Sequence, residues 1–371
     1  MKYNILITGG AGFIGSHLAA ELIAYGHQVR ILDNLNEQVH GQNPAIPSYL
    51  PVDVDFIRGD VLNPDTIRHA VKDIDVVYHF AALVGVGQSM YEIVNYTDVN
   101  NVGTANLLDQ ISKNPIKKLI VASSMSIYGE GLYTNQQNHK VEDAIRTLDD
   151  LKNGEWELYD EFGPLAPVPT PEEKIPDLSS VYALSKYDQE KLCLLIGKAY
   201  NIPTVALRFF NVYGPYQSLS NPYTGVLAIF ASRLLNEKAP MIFEDGLQKR
   251  DFVNVKDVAR GCRLALENEQ ITHDVFNIGS GEAYSILELA QKMAQSMGKE
   301  YIQPEITGKY RHGDIRHCFA DISRASRLIG YQPEVTLRDG MIELADWLKD
   351  QVAIDNVSTM RKELETRGLA V

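Results

Sequence analysis

The feature that most narrows what this chain can fold into is Thr8-Gly9-Gly10-Ala11-Gly12-Phe13-Ile14-Gly15, set between the apolar run Ile5-Leu6-Ile7 and a helix-period stretch over residues 13–25. It fits Gly-x-Gly-x-x-Gly through Gly10, Gly12 and Gly15, and Gly-x-x-Gly-x-x-Gly through Gly9, Gly12 and Gly15. Glycine is required there because the turn needs permissive backbone angles and a pyrophosphate must approach the backbone without a Cβ in the way. The last glycine lets the helix pack on the strand, and the phosphates meet the free N–H groups at the helix start. Gly9, Gly12, Phe13, Ile14 and Gly15 are therefore candidate dinucleotide contacts. Asp33 ends the next apolar run, 18 residues past Gly15, with Asn34 beside it. A carboxylate at that distance accepts from a ribose diol and repels a 2′-phosphate. No arginine lies between Leu32 and Gly41, so the expected cofactor is NAD rather than NADP.

Short apolar runs at 5–8, 28–33, 54–58, 76–80, 118–123 and 204–209 read as strands, and 13–25, 64–72 and 103–112 as the helices between them. That alternation predicts a doubly wound parallel sheet of the Rossmann kind, an α/β fold covered on both faces. Gly59-Asp60-Val61 follows the third run, where Asp60 could meet an adenine amino group with Val61 beside it. Ala81 and Ala82 follow the fourth, where small side chains leave room for a cofactor. Residues 129–177 break the pattern with a polar, proline-rich stretch that reads as an insertion or a lid near the site. Helices are expected at 226–236, 255–267, 285–297 and 337–350, and a polar tail over 351–371. The expected division is an NAD-binding domain over 1–212, returning near 248–277, and a smaller mixed α/β substrate domain over 213–247 and 278–350.

Composition limits the partners. With 35 basic and 48 acidic residues among 371, the net charge is −13, which repels nucleic acids and anionic membranes. No nucleic acid or membrane partner is expected. Cys193, Cys262 and Cys318 are too far apart for a disulfide framework or a CxxC metal clip, which suits a reducing cytoplasm, and no metal site is expected. No secretory leader or membrane span is read from the sequence.

Tyr182 and Lys186, in Ser180-Val181-Tyr182-Ala183-Leu184-Ser185-Lys186, lie four residues apart and so on one face of a helix. An ammonium beside a phenol favours the phenolate and brings tyrosine towards the range of a general base. The run Ile120-Val121-Ala122-Ser123-Ser124 brings a hydroxyl to the carboxyl edge of the sheet, where ligands of α/β folds bind. Ser124, Tyr182 and Lys186 are the candidate catalytic set for hydride transfer at a carbinol.

At these residues the chain resembles the extended short-chain dehydrogenase/reductases, in their nucleotide-sugar epimerase/dehydratase branch. The resemblance runs from Lys2 to about residue 345 and is carried by 8–15, Asp33, Gly59-Asp60, 79–82, Asn100-Asn101-Val102-Gly103-Thr104, 123–129, 182–186, 208–215, 250–257 and 311–314. It implies that Tyr182 is the base, that Lys186 also holds the nicotinamide ribose, and that Ser124 binds the reacting oxygen, with Ser126 on the substrate beside it. It makes Asn100 a cofactor contact. It also implies that Asn211 contacts the sugar-nucleotide diphosphate, Arg250 and Arg311 grip it, and Asp314 meets the nucleotide ribose. A guanidinium fork matches phosphate oxygens, which an acidic protein must supply locally. A homodimer built on two helices from each subunit is implied too.

The residues after Ser124 narrow the reaction. The branch's 4,6-dehydratases resemble Thr-Asp-Glu there, and its decarboxylases keep a glutamate, whereas this chain has Ser124-Met125-Ser126. Without those carboxylates the chemistry is expected to stop at C4: oxidation to a ketone, then reduction from the other face. The runs 81–91 and 218–225 resemble dTDP-L-rhamnose 4-epimerases, which share an insertion after the serine motif. Some of those carry CxxC pairs in it; this insertion has no cysteine, so a zinc ribbon cannot form. Ser124 and Tyr182 stand 58 residues apart, farther than in plain galactose epimerases. The expected substrate is a dTDP-6-deoxyhexose such as dTDP-L-rhamnose. A one-way C4 ketoreductase, a UDP-glucose or UDP-N-acetylglucosamine 4-epimerase, and a non-catalytic NAD-binding regulator are the alternatives.

Overall fold

The structure is a computed structural model of the chain and describes residues 2–221, 223, 225–311, 313–353 and 355–369. Pro222 and Thr224 of the 218–225 run, His312 of the 311–314 motif, and Ile354, Ala370 and Val371 of the tail lie outside the described residues.

Seven strands form the central sheet: β1 (Asn4–Thr8), β2 (Gln28–Asp33), β3 (Asp55–Arg58), β4 (Val76–His79), β5 (Lys118–Ser124), β6 (Thr204–Phe209) and β7 (His273–Ile278). Their order is β7-β6-β5-β4-β1-β2-β3, and every neighbouring pair is parallel. The order reverses between β1 and β4, where Thr8 stands opposite His79. At such a reversal the loops leave to opposite faces and open a crevice at the carboxyl ends of the strands.

Side chains alternate across the sheet because the strand period is two. Ile5, Ile7, Ile31, Tyr78, Ile120 and Leu207 build one core, capped by α1 (Phe13–Ala24) and, with Val258 and Cys262, by α5 (Val255–Glu267). Leu6, Leu32, Val77, Leu119 and Val121 build the other, under α2 (Gly103–Lys113) and α3 (Val181–Ala199). A third core joins α4 (Val226–Leu235), α6 (Ile286–Ser296) and α7 (Leu337–Leu348) around Tyr213 and Phe252. The chain ends in α8 (Val357–Thr366).

Three features differ from the sequence reading. Strand β7 was not expected, because as an edge strand half exposed at its start it carries a weak apolar pattern. The 129–177 segment is no lid. It forms a three-stranded antiparallel sheet of Leu132–Thr134, Lys140–Val141 and Ala166–Val168, a hairpin of Tyr159–Asp160 with Gly163–Pro164, and a small core of Tyr133, Leu158 and Leu165. The tail is not merely polar: Met360 and Leu364 of α8 are buried against Tyr91, Tyr223 and Ile229. Among the described residues, no helix is long and apolar enough to cross a membrane.

Candidate active site

One cavity of about 920 Å³ opens at the carboxyl edge of the sheet. Its wall includes Gly9, Gly12, Phe13, Ile14, Gly15, Asp33, Asn34, Asp60, Val61, Ala81, Ala82, Ser124, Ser126, Tyr182, Lys186, Asn211, Arg250, Arg311 and Asp314. Residues more than 300 apart in sequence thus share one wall.

At the β1 end the loop is tight. Gly9 has φ +69°, and a Cβ there would sit 2.8 Å from the Ala81 nitrogen; at Gly15 it would sit 2.6 Å from Gly10 Cα. At Gly12 the nearest atom would be 3.3 Å away. Helix α1 starts at Gly12 with no side-chain cap, so its first-turn N–H groups are left for an anion. Asp33 accepts from the Ala11 N–H at 3.0 Å and from the Leu35 N–H at 2.8 Å. Each oxygen keeps a lone pair for a ribose hydroxyl while the carboxylate fixes the loop. Asn34 donates to Asp60 at 2.9 Å on the same wall. This bare cradle with a carboxylate at its rim fits a dinucleotide.

Asn100 departs from expectation. It is fully buried and does not line the cavity. Its Oδ1 accepts from the Leu83 N–H, and its Nδ2 donates to the Leu83 carbonyl and to Ser185 Oγ. With its amide satisfied by protein, it positions the Leu83 turn and α3 and has no donor left for a cofactor.

Helix α3 is fixed at its start and at its middle. Ser180 Oγ accepts from the Ala183 N–H at its start. Glu190, fully buried, accepts from Ser123 Oγ at 2.7 Å and from both Nε and Nη2 of Arg208 on β6. Those clamps tie α3 to the end of β5, so Tyr182 faces Ser124. The Ser124 hydroxyl accepts from Ser126 through both N–H and O–H.

Burial pushes the Tyr182 phenol up, and its hydrogen bond with Ser124 pulls it part of the way back. Burial is the largest influence, so the phenol is raised overall rather than lowered. Burial likewise lowers Lys186 to about 8, against the opposing influences of Cys193 and Glu190. The ammonium donates to Gln189 Oε1 at 2.6 Å.

Gln189 was missed by the sequence reading, although its i,i+3 spacing from Lys186 places it on the same helix face. Its amide donates to Thr104 Oγ1 at 2.8 Å and lies 3.3 Å from the Ala81 carbonyl. Thr104 Oγ1 donates to the Asn100 carbonyl, so His79 Nε2, 2.8 Å from that hydroxyl, must be the donor between them. His79 Nδ1 then accepts from Thr8 Oγ1 at 2.8 Å. The imidazole is neutral, its pKa lowered to about 3 by burial and then by the Lys186 charge. A closed polar network behind the cavity thus runs from β1 to Lys186.

At the opposite end, Arg250 Nη1 donates to the Lys249 and Arg316 carbonyls and Nη2 to the Ile315 carbonyl. Two of a guanidinium's five N–H donors stay available. Arg311 Nε donates to Asp314 at 2.8 Å, and its guanidinium lies 4.7 Å from the centre of the Phe243 ring. Asn211 Nδ2 donates to the Asp251 carbonyl at 2.9 Å, leaving one N–H and its oxygen. The tail adds Met360 and Leu364 to the wall, which the Met-x-x-x-Leu spacing could have signalled. Among the described residues no cluster of three or more His, Cys, Asp or Glu could hold a metal.

A family model described as NAD dependent epimerase/dehydratase matches residues 5–147 and 159–279. A dTDP-L-rhamnose 4-epimerase of Burkholderia thailandensis is 35% identical over 355 residues, covering 94% of this chain and 96% of that protein. A putative UDP-glucose 4-epimerase of Methanocaldococcus jannaschii is 33% identical, covering 93% and 98%. Among solved structures, UDP-glucuronic acid 4-epimerase from Bacillus cereus, in complex with UDP-glucuronic acid and NAD, matches with a TM-score of 0.75 and 31% identity, covering 93% of this chain and 99% of that one.

Proposed function

The chain belongs to the NAD-dependent epimerase/dehydratase family, and from that premise we propose that it inverts C4 of a nucleotide sugar through a transient 4-ketone, with a dTDP-6-deoxyhexose such as dTDP-L-rhamnose as substrate. The observation that carries the reading is one wall bearing Ser124, Tyr182 and Lys186 beside a glycine cradle, with two arginines farther along it. Gly9, Gly12, Phe13, Ile14, Gly15, Asp33 and Lys186 would hold NAD, which when bound supplies a reversible two-electron acceptor for the C4 carbon.

The chain's own groups do the rest. Tyr182 takes the C4 hydroxyl proton and later returns it, while Ser124 holds the oxygen. The Lys186 ammonium stabilises the phenolate that burial alone disfavours. Arg250, Arg311 and Asn211 hold the diphosphate, and Asp314 accepts from the nucleotide ribose. Because the anchored diphosphate lies away from the reacting carbon, the keto sugar can turn about its anomeric linkage and present its other face.

Support for the 6-deoxy sugar comes from the 35%-identical rhamnose epimerase and from apolar Val84, Val86, Ile229, Met360 and Leu364 in the wall. Such side chains favour a methyl over a carboxylate at C5. A UDP-sugar substrate is the second reading, favoured by the Methanocaldococcus and Bacillus proteins. A homodimer is part of the proposal, through Ile93, Val94, Val102, Leu184 and Leu195, which are exposed on and beside α2 and α3. Three buried free thiols suit a reducing cytoplasm.

Incubating the protein with dTDP-, UDP- and GDP-sugars, without added cofactor, tests the reading by NMR of the products. The C4 epimer of dTDP-L-rhamnose is expected. A requirement for stoichiometric NADPH, or products unchanged at C4, would sink it.

A further inference from the structure

The 129–177 insertion contributes nothing to the cavity wall, yet it carries several buried charges. They converge on the back of one stretch, residues 314–318, which follows Arg311 and ends in the short strand His317–Cys318. Its front side serves the substrate arm: Asp314 lines the cavity, and the Ile315 and Arg316 carbonyls hold the Arg250 guanidinium. Whatever fixes its back therefore fixes both.

Arg146 of the insertion is the first contact. Its Nη2 donates to the Asp314 carbonyl at 2.7 Å, and its Nη1 to Glu244 Oε1 at 2.7 Å. Glu130 is the second: its two oxygens accept from the Arg316 N–H at 2.6 Å and the His317 N–H at 3.2 Å. Glu157 is the third, gripping the Arg316 side chain through Nε at 3.0 Å and reaching His317 Nε2 at 3.1 Å. Arg316 is completely buried, and Glu244 and Asp245 share its other donors.

We propose that the insertion is a brace for the nucleotide arm, with Arg146 the positioning residue that sets where Asp314 and Arg250 meet the diphosphate. The inference rests on the nucleotide-sugar reading above and deepens it. Its physical basis is preorganisation: a segment held from behind loses little freedom when the ligand binds, so more of the contact energy appears as affinity. Charge adds to it. Arg146 and Arg316 face four carboxylates, Glu130, Glu157, Glu244 and Asp245, so deleting Arg146 would leave an excess of negative charge behind the phosphate site. Chemistry at C4 lies at the far end of the cavity and is not expected to change.

The test measures UDP and dTDP binding to the NAD-loaded protein by calorimetry, with turnover beside it. Arg146→Met is expected to weaken binding of the preferred nucleotide at least about tenfold, roughly 1.4 kcal/mol, with kcat at saturating substrate and NAD content unchanged. Arg146→Lys, which keeps the charge without the two-pronged grip, should recover part of the loss and serves if the methionine variant fails to fold. In an Arg250→Met background, Arg146→Met should add less than about twofold, because its effect passes through the same phosphate contact. Unchanged affinity in a folded Arg146 variant, full additivity with Arg250→Met, or a fall in kcat at constant affinity each overturns the brace. A wild-type protein that binds neither UDP nor dTDP refutes the nucleotide-sugar reading itself, before any variant is compared.

Discussion

Replacing Gln189 by leucine removes the carbonyl that receives the Lys186 ammonium at 2.6 Å and leaves a similar volume behind it. Lys186 is buried, and its pKa is already lowered from 10.5 to about 8. At about 1.4 kcal/mol per unit, holding that charge inside costs on the order of 3 kcal/mol. A hydrogen bond to a charged group is worth about 1.5–3 kcal/mol, or one to two units, so without it the lysine should lose its proton one to two units lower. The sign follows from the depressed pKa: the ammonium is present below it and lost as pH rises through it. Gln189→Leu should therefore bring the alkaline limb of kcat/KM down by one to two units, with a loss of roughly 3- to 25-fold near pH 7.5 and at most about twofold near pH 6. Stability carries the same signature. The variant should be less stable by about 1–2 kcal/mol at pH 6, where the wild-type lysine is charged and the variant's wholly or half so, and nearly equal to wild type at pH 9, where both are largely neutral. Gln189→Glu sets a carboxylate against the ammonium and should move the limb upward. Rate profiles from pH 5.5 to 9.5 and denaturant unfolding at the two pH values provide the assay. A folded, NAD-loaded Gln189→Leu protein with an unmoved limb and a pH-independent stability loss would refute the coupling.

Two further predictions concern the cradle and the tail. Gly15→Val drives a side chain into Gly10 Cα and the Gly9 carbonyl, both 2.6 Å from its Cβ, so a loss of roughly 1–3 kcal/mol is expected; Gly12→Ala meets one atom at 3.3 Å and should keep its melting temperature while retaining less NAD on purification. Equal destabilisation by both would contradict this division. Leu364→Glu buries a carboxylate beside Met360, so α8 should become open to protease and KM should rise with NAD content unchanged; wild-type protease resistance would show that α8 is not held by that contact.

Signals confined to one short stretch were legible in the sequence. The cradle, Asp33, Tyr182, Lys186 and Ser124 each sit in a stretch whose spacing states its geometry, and six of the seven sheet strands announced themselves by short, largely apolar runs. β7 did not, because His273, Asp274 and Asn277 interrupt it and an edge strand needs burial on fewer sides. Asn100 misled because a motif shows which residues recur together but not where an amide spends its donors. Gln189 was within reach of helix spacing, whereas His79, which meets the same Thr104 hydroxyl, required knowing that β4 lies beside β1. The brace was wholly out of reach: Arg146 meets Glu244 and Asp314 over 98 and 168 residues, and Glu244 meets Arg316 over 72, and no local pattern encodes those meetings.

The charge of the protein acquires its meaning from those long-range contacts. A chain at −13 that binds anions needs cations where the ligand sits and must hold them against its own acids. Lys186 is held by a neutral amide and Arg250 by carbonyls, so neither is neutralised by a direct carboxylate contact. Arg146 and Arg316, by contrast, are matched to carboxylates and lie outside the wall. Arg311 is intermediate, with one edge on Asp314 and one face on Phe243. Cations given to dipoles keep their charge for a ligand, and cations given to carboxylates become structure. That division explains how the acidic insertion can stiffen a phosphate site without competing for it.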